Sequence, residues 1–173
     1  VNGLPYSHLP LYQPSAKYNK IRALGQQFDA KQIDIIGYTE TNLDWAAPNV
    51  RYLYRKHLND YSPSMTSVES SSSVHYDTQW QPGGCATMVH RSWGARLLTT
   101  IQDDYGRWSG VTLKGTNEFT CTIITIYNSP PSNPTTKVRS SNAQIRSMFL
   151  SEGRSDINAQ TNFNTDLFSL LQK

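Results

Sequence analysis

An α/β domain with two facing sheets and helices outside them is the fold class that this 173-residue chain predicts. Three observations carry it. Near the N-terminus a helical stripe leads into an apolar, β-branched strand and follows the tail of another, giving the order strand, helix, strand. Residues 85–127 alternate apolar residues with Thr, the period-two signature of half-buried antiparallel strands. The end of the chain returns to helical spacing through Phe163, Leu167, Leu170 and Leu171.

Taken in order, Val1-Asn2-Gly3-Leu4-Pro5 reads as a strand tail breaking into a turn. Pro14-Ser15 opens a helix expected over 15–31, with Tyr18, Ile21, Leu24 and Phe28 on one stripe. A strand at 33–38 follows, and a crossover of this kind favours a parallel pair covered by the helix. Arg51 to Lys56 fits either a helical turn or a strand. Glu69 to Ser73, with four consecutive serines, reads as an exposed, mobile loop. Gly83-Gly84 leads into a strand at 85–90, and further strands are expected at 95–100, 107–114 and 119–127. Asn133-Pro134 is a cap and first helical residue for a helix to about Leu150, with Ile145, Met148 and Phe149 inward. After Gly153 comes the last helix, expected over 160–172.

The composition fits one domain spanning 1–173. An apolar content of 37% at this length supplies a core, and no repeat or composition shift marks a second unit. A net charge of +3 permits a nucleic-acid partner without demanding one. Cys85 and Cys121 lie inside strands, lack metal-ligand spacing, and read as two small buried hydrophobes. No apolar run approaches the ~18 residues of a membrane span, and the sequence shows no charged-then-apolar leader. These features predict a soluble intracellular protein, nuclear or cytoplasmic, without a membrane partner.

Residues 33–41, Ile-Asp-Ile-Ile-Gly-Tyr-Thr-Glu-Thr, carry the most chemistry. An apolar strand stops at Glu40, which fixes an acceptor-only carboxylate at a sheet rim. Such a group is costly to desolvate unless a cation or a hydrogen-bond network meets it. A capping carboxylate is the competing reading.

With Asn42-Leu43-Asp44-Trp45 behind it, this segment resembles the metal-binding Glu motif of the endonuclease/exonuclease/phosphatase family. Four further segments resemble that family in the same order. They are Val1-Asn2-Gly3-Leu4, Gln81-Pro82-Gly83-Gly84-Cys85-Ala86-Thr87, Asp103-Asp104-Tyr105-Gly106-Arg107-Trp108 and Ile126-Tyr127-Asn128-Ser129-Pro130-Pro131. The Gly-Arg-Trp turn and the long gap between motifs look closest to endonuclease domains of retrotransposons lacking long terminal repeats.

The resemblance implies a four-layer α-β-β-α, DNase I-like sandwich, incomplete at both ends, and metal-dependent hydrolysis of DNA phosphodiester bonds. Mg²⁺ or Mn²⁺ would be the cofactor, with Glu40 as its ligand. Tyr127 would hydrogen-bond a phosphate oxygen. Asn42 and Asn2 would lie beside the substrate. The implied partners are DNA, the remainder of the same domain and a downstream reverse transcriptase. Two of the family's later motifs, Gly-Asp-x-Asn and Ser-Asp-His, occur nowhere in these 173 residues, and Ser155-Asp156-Ile157 lacks the His. The chain therefore resembles the first two-thirds of such a domain and is expected to be inactive alone.

Two other functions stay open at the sequence level. One is a non-catalytic nucleic-acid-binding or structural β-sandwich. The other is a phosphatase of the same fold acting on small or lipid phosphates. Several chemically capable residues read as structural. His90 reads as a solvated strand end, and Arg107 as an ion-pair partner of Asp103 or Asp104. Trp45, Trp80 and Trp93 fit either base-stacking or clamps on a sheet edge. His8, His57 and His75 share no spacing for zinc.

Overall fold

The computed structural model describes residues 18–61, 63–74, 81–131 and 140–172. Within them lies a mixed α/β fold of two three-stranded antiparallel sheets and four helices. The first sheet holds β1 (Ile35–Thr39), β2 (Met65–Ser70) and β3 (Cys85–His90), in the order β1-β3-β2. The second holds β4 (Leu97–Gln102), β5 (Trp108–Lys114) and β6 (Thr120–Ile126), in sequence order. The helices are α1 (Tyr18–Ala30), α2 (Pro48–Tyr61), α3 (Ser141–Ser151) and α4 (Ala159–Leu171).

Every residue of β3 is buried, because the strand is covered on both faces. On one face Val89 joins Val68, Val111 and Leu113, so both sheets contribute to a single apolar cluster. On the same face Thr87 Oγ1 donates to the Ser109 carbonyl at 2.8 Å and lies 2.7 Å from Thr125 Oγ1. On the other face Ala86 and Met88 meet Phe28 of α1 and Tyr54 and Leu58 of α2. Beyond the second sheet, Phe163 of α4 meets Trp108 edge-on, with ring centroids 5.9 Å apart. Ile145, Phe149 and Ala159 bind α3 to α4. Each of these two helices starts on a side-chain cap, Ser140 Oγ accepting from the Ala143 N–H and Asn158 Oδ1 from those of Gln160 and Thr161.

The described strands depart from the sequence expectations in instructive ways. All their pairings are antiparallel, and the strand expected before α1 lies outside the described residues. Of the α1 stripe, Leu24 and Phe28 reach the core, while the Tyr18 and Ile21 side chains lie outside the description. Arg51 to Lys56 belongs to α2. Residues 91–96 form a 3-10 turn, so β4 starts only at Leu97. The described part of α3 starts at Ser141, and residues 132–139, including Asn133-Pro134, lie outside it. On α4 Phe163 is buried but Leu171 is 64% exposed.

The serine run is the largest correction. Glu69 and Ser70 end β2, and both are buried. Ser70 Oγ donates to the Asp103 carbonyl, Ser71 Oγ accepts from the Trp45 N–H at 3.0 Å, and Ser72 Oγ donates to Met148 Sδ. Short hydroxyls thus satisfy backbone groups of neighbouring segments, a role that composition does not reveal. Glu69 is held by Arg55, Nε to Oε1 at 3.0 Å and Nη2 to Oε2 at 2.8 Å, with Ser67 Oγ also donating to it. His90 is likewise buried at 4% exposure, because β3 is central. Cys85 is buried as expected, whereas Cys121 on the edge strand β6 is exposed, and both are free thiols.

The buried acids of the core set an alkaline limit. Burial raises the Cys85 thiol and the Tyr38 and Tyr54 phenols well above their ordinary values of 9.0 and 10.0. The folded chain therefore keeps protons that the unfolded chain releases. Stability should be flat up to about pH 9 and fall as pH rises past the unfolded values toward the folded ones. Urea midpoints measured from pH 7 to 11 test this, and a midpoint unchanged at pH 11 contradicts it.

Candidate functional site

Glu40 follows the last residue of β1, and Tyr127 follows the last residue of β6. These two strands lie over one another across the sheet interface. A β-carbon on Gly37 would sit 2.6 Å from Thr125 Oγ1, so only glycine allows that approach. Both strands then end at one rim. There Tyr127 Oη donates to Glu40 Oε1 at 2.9 Å, across 87 positions of sequence. The expected convergence of these two side chains is therefore present.

Glu40 is aimed by unusual backbone. Its φ is 51° and that of Asn42 is 54°, both in the left-handed region. Asn tolerates that region, but Glu does not ordinarily occupy it, and such residues cost on the order of 1–3 kcal/mol. The conformation is held by Gly83 and Gly84. Thr41 N–H donates to the Gly84 carbonyl at 3.2 Å, and Asn42 N–H to that of Gly83 at 2.9 Å. Below, Trp45 Nε1 donates to Thr41 Oγ1 at 2.9 Å, and the indole sits edge-on to Tyr54. Trp45 is thus a buried clamp, not a base-stacking surface. Trp93 packs beside the inter-sheet cluster with Arg96 over its ring, and Trp80 lies outside the described residues.

Asn42 divides its amide between two tasks. Oδ1 accepts from the Gly83 N–H at 3.2 Å, which closes the loop, and Nδ2 has donor capacity left over. Asn2 and His8 and His75 lie outside the described residues.

Tyr127 is built in from the other side. Its N–H donates to the Arg107 carbonyl at 2.7 Å, extending the β5–β6 ladder by one residue. Burial first, and then the Glu40 carboxylate it donates to, push its phenol well above the ordinary tyrosine range, while a hydrogen bond with Ser129 pulls the other way. The phenol therefore stays a protonated donor at physiological pH.

Arg107 is structural, as the sequence suggested, and deeper than a surface pair. Its guanidinium is 3% exposed and meets Asp103 through Nε at 2.9 Å and Nη2 at 3.0 Å, with Asp166 of α4 on Nη1 at 2.8 Å.

Sequence reading missed the start of α3 as part of this rim. A β-carbon on Gly83 would lie 2.6 Å from Ser141 Oγ and 3.2 Å from Tyr127 Cε1, so Ser141 and Tyr127 both pack against Gly83. Ser140-Ser141-Asn142 ahead of Ile145 is an N-cap signal that could have placed that helix start.

A divalent cation fits this rim only in part. Glu40 supplies carboxylate oxygens, and no group of three or more His, Cys, Asp or Glu suited to a metal occurs among the described residues. No described helix is long and apolar enough to cross a membrane. No protein-family model matches the chain, and no curated protein matches it.

Proposed function

We propose that this chain belongs to a metal-dependent phosphodiesterase acting on DNA, of the endonuclease type found in retrotransposons lacking long terminal repeats. One observation carries the reading: a strand-end carboxylate and a strand-end phenol from opposite sheets meet at 2.9 Å on one rim. A capping role for Glu40 does not call for a left-handed Glu braced by two positive-φ glycines, Thr41 and Trp45. The contacts of α1 and α2 on one sheet, and of α4 on the other, support a four-layer α-β-β-α arrangement.

In this reading Glu40 would hold Mg²⁺ or Mn²⁺, ions that favour carboxylate and phosphate oxygens. The ion supplies charge stabilisation at the phosphate. Tyr127 donates its O–H to the oxygen that occupies the rim, which is Glu40 in the free protein and a phosphate oxygen in the complex. Asn42 Nδ2 is a second, neutral donor for the same group. DNA is the partner, with the rest of such an endonuclease domain and a reverse transcriptase acting alongside it in an intracellular compartment.

The test reads metal and DNA together. With a duplex oligonucleotide present, Mn²⁺ should broaden the amide signals around Glu40 and Tyr127 in the wild-type chain, and Glu40→Gln should abolish the effect. Equal broadening in Glu40→Gln, or none at the rim in wild type, removes the reading.

A further inference from the structure

A cavity of about 420 Å³ opens between the start of α3 and the connection from α3 to α4. Its walls include Pro131, Asn142, Arg146, Ser155, Asp156 and Ile157. This volume is within the range of about 300–1,000 Å³ typical of small-ligand sites. Two of its lining residues are linked by sequence to the neighbourhood of the Glu40–Tyr127 pair. Asn142 follows Ser141, which packs against Gly83 as the Tyr127 ring does, and Pro131 lies four residues after Tyr127.

Arg146 distinguishes this cavity from ordinary surface relief. Arg51, Arg55, Arg107 and Arg154 each meet a carboxylate within 3.5 Å. Arg146, half-buried on α3, has no ion pair, hydrogen bond or ring contact among the described residues. The one acid in the same cavity, Asp156, accepts the Asn158 N–H on Oδ1 at 2.8 Å and is not within ion-pair distance of Arg146. A guanidinium partly withdrawn from water without a counter-charge is destabilising until an anion reaches it, and its planar fork matches phosphate. Pro131 and Ile157 add apolar surface, and Ser155 adds a hydroxyl.

Building on the phosphodiesterase reading above, we propose that this cavity takes one nucleotide of the bound strand next to the scissile position. Its phosphate lies on Arg146, and its sugar or base lies against Pro131 and Ile157. The cavity thus sets how the strand is aligned across the rim, and Arg146 is a substrate-binding residue remote from the reacting bond.

The experiment is fluorescence anisotropy of a labelled duplex with the whole 1–173 chain in Mg²⁺, between about 50 and 200 mM salt. Arg146→Ala and Arg146→Gln are compared with wild type, and their urea midpoints confirm folding. Each variant should bind about tenfold more weakly, with the slope of log K against log salt reduced by about 0.9, the value for one lost phosphate contact. Unchanged affinity and slope overturn the subsite, and they leave the phosphodiesterase reading intact if Mn²⁺ broadening still depends on Glu40. A wild-type chain that binds no DNA at 50 mM salt overturns both. Inorganic phosphate that shifts the Arg146 side-chain signal, with no change of DNA affinity in the variants, assigns the cavity to a small phosphate and also overturns the proposal.

Discussion

Replacing Arg107 by alanine is expected to cost about 3–5 kcal/mol of stability, the usual result of removing one partner from a buried ion pair. The Arg107 side chain is 3% exposed and that of Asp103 6%, so the abandoned carboxylate has no water to turn to. The guanidinium also stacks 4.2 Å from the Trp108 ring centroid and 4.6 Å from that of Tyr105. Its Nη1 bond to Asp166 ties α4 to the second sheet. Packing, charge balance and a helix contact are lost together. Arg107→Lys keeps the charge without the fork, so it should recover only part of the loss. The consequence reaches the rim, because the Arg107 carbonyl accepts the Tyr127 N–H at 2.7 Å and the Cys85 thiol at 3.4 Å. Urea unfolding measures the effect. A loss below about 1 kcal/mol would show that the pair behaves like an exposed one.

Purified 1–173 is expected not to nick supercoiled plasmid in Mg²⁺. Hydrolysis needs an activated water, and general-base help is typically worth about 10²–10⁴-fold. The rim brings together one carboxylate, one phenol held protonated by burial, and one amide. None of these is a spare base in that reading: the phenol is a donor, the amide is neutral, and Glu40 is committed to the metal ion. No Ser-Asp-His or Gly-Asp-x-Asn sequence occurs in the chain to add the base. Members of a catalytic unit fail together, so a partial set does not yield a proportionate rate. Glu40→Ala and Tyr127→Phe should therefore leave the background unchanged. Nicking that disappears in Glu40→Ala would instead place a working base within these residues.

Much of the strand and helix order was legible because it depends on local period. The strands at 85–90, 107–114 and 119–127 announce themselves by alternation, and the last helix by Phe163 and Leu167. Glu40 as a strand-end carboxylate needed only the residues around it. Its meeting with Tyr127 was expected from the order of motifs, not from any local signal, since 87 positions separate the two.

Burial was a different matter. Four serines in a row look solvated, yet Ser70 and Ser72 are buried, because their hydroxyls find a carbonyl and a thioether on other segments. His90 looks like an exposed strand end until β3 proves to be the middle strand of its sheet, and Cys121 looks buried until β6 proves to be an edge. Period two says that a strand has two faces, but not what covers either of them. The left-handed backbone at Glu40 was equally hidden, since Glu does not signal it and its supports, Gly83, Gly84 and Trp45, are brought there by the fold. Element type and the chemical character of the rim are local properties of this chain. Which polar groups are buried, and where Glu40 points, depend on partners distant in sequence, and only packing brings those partners within reach.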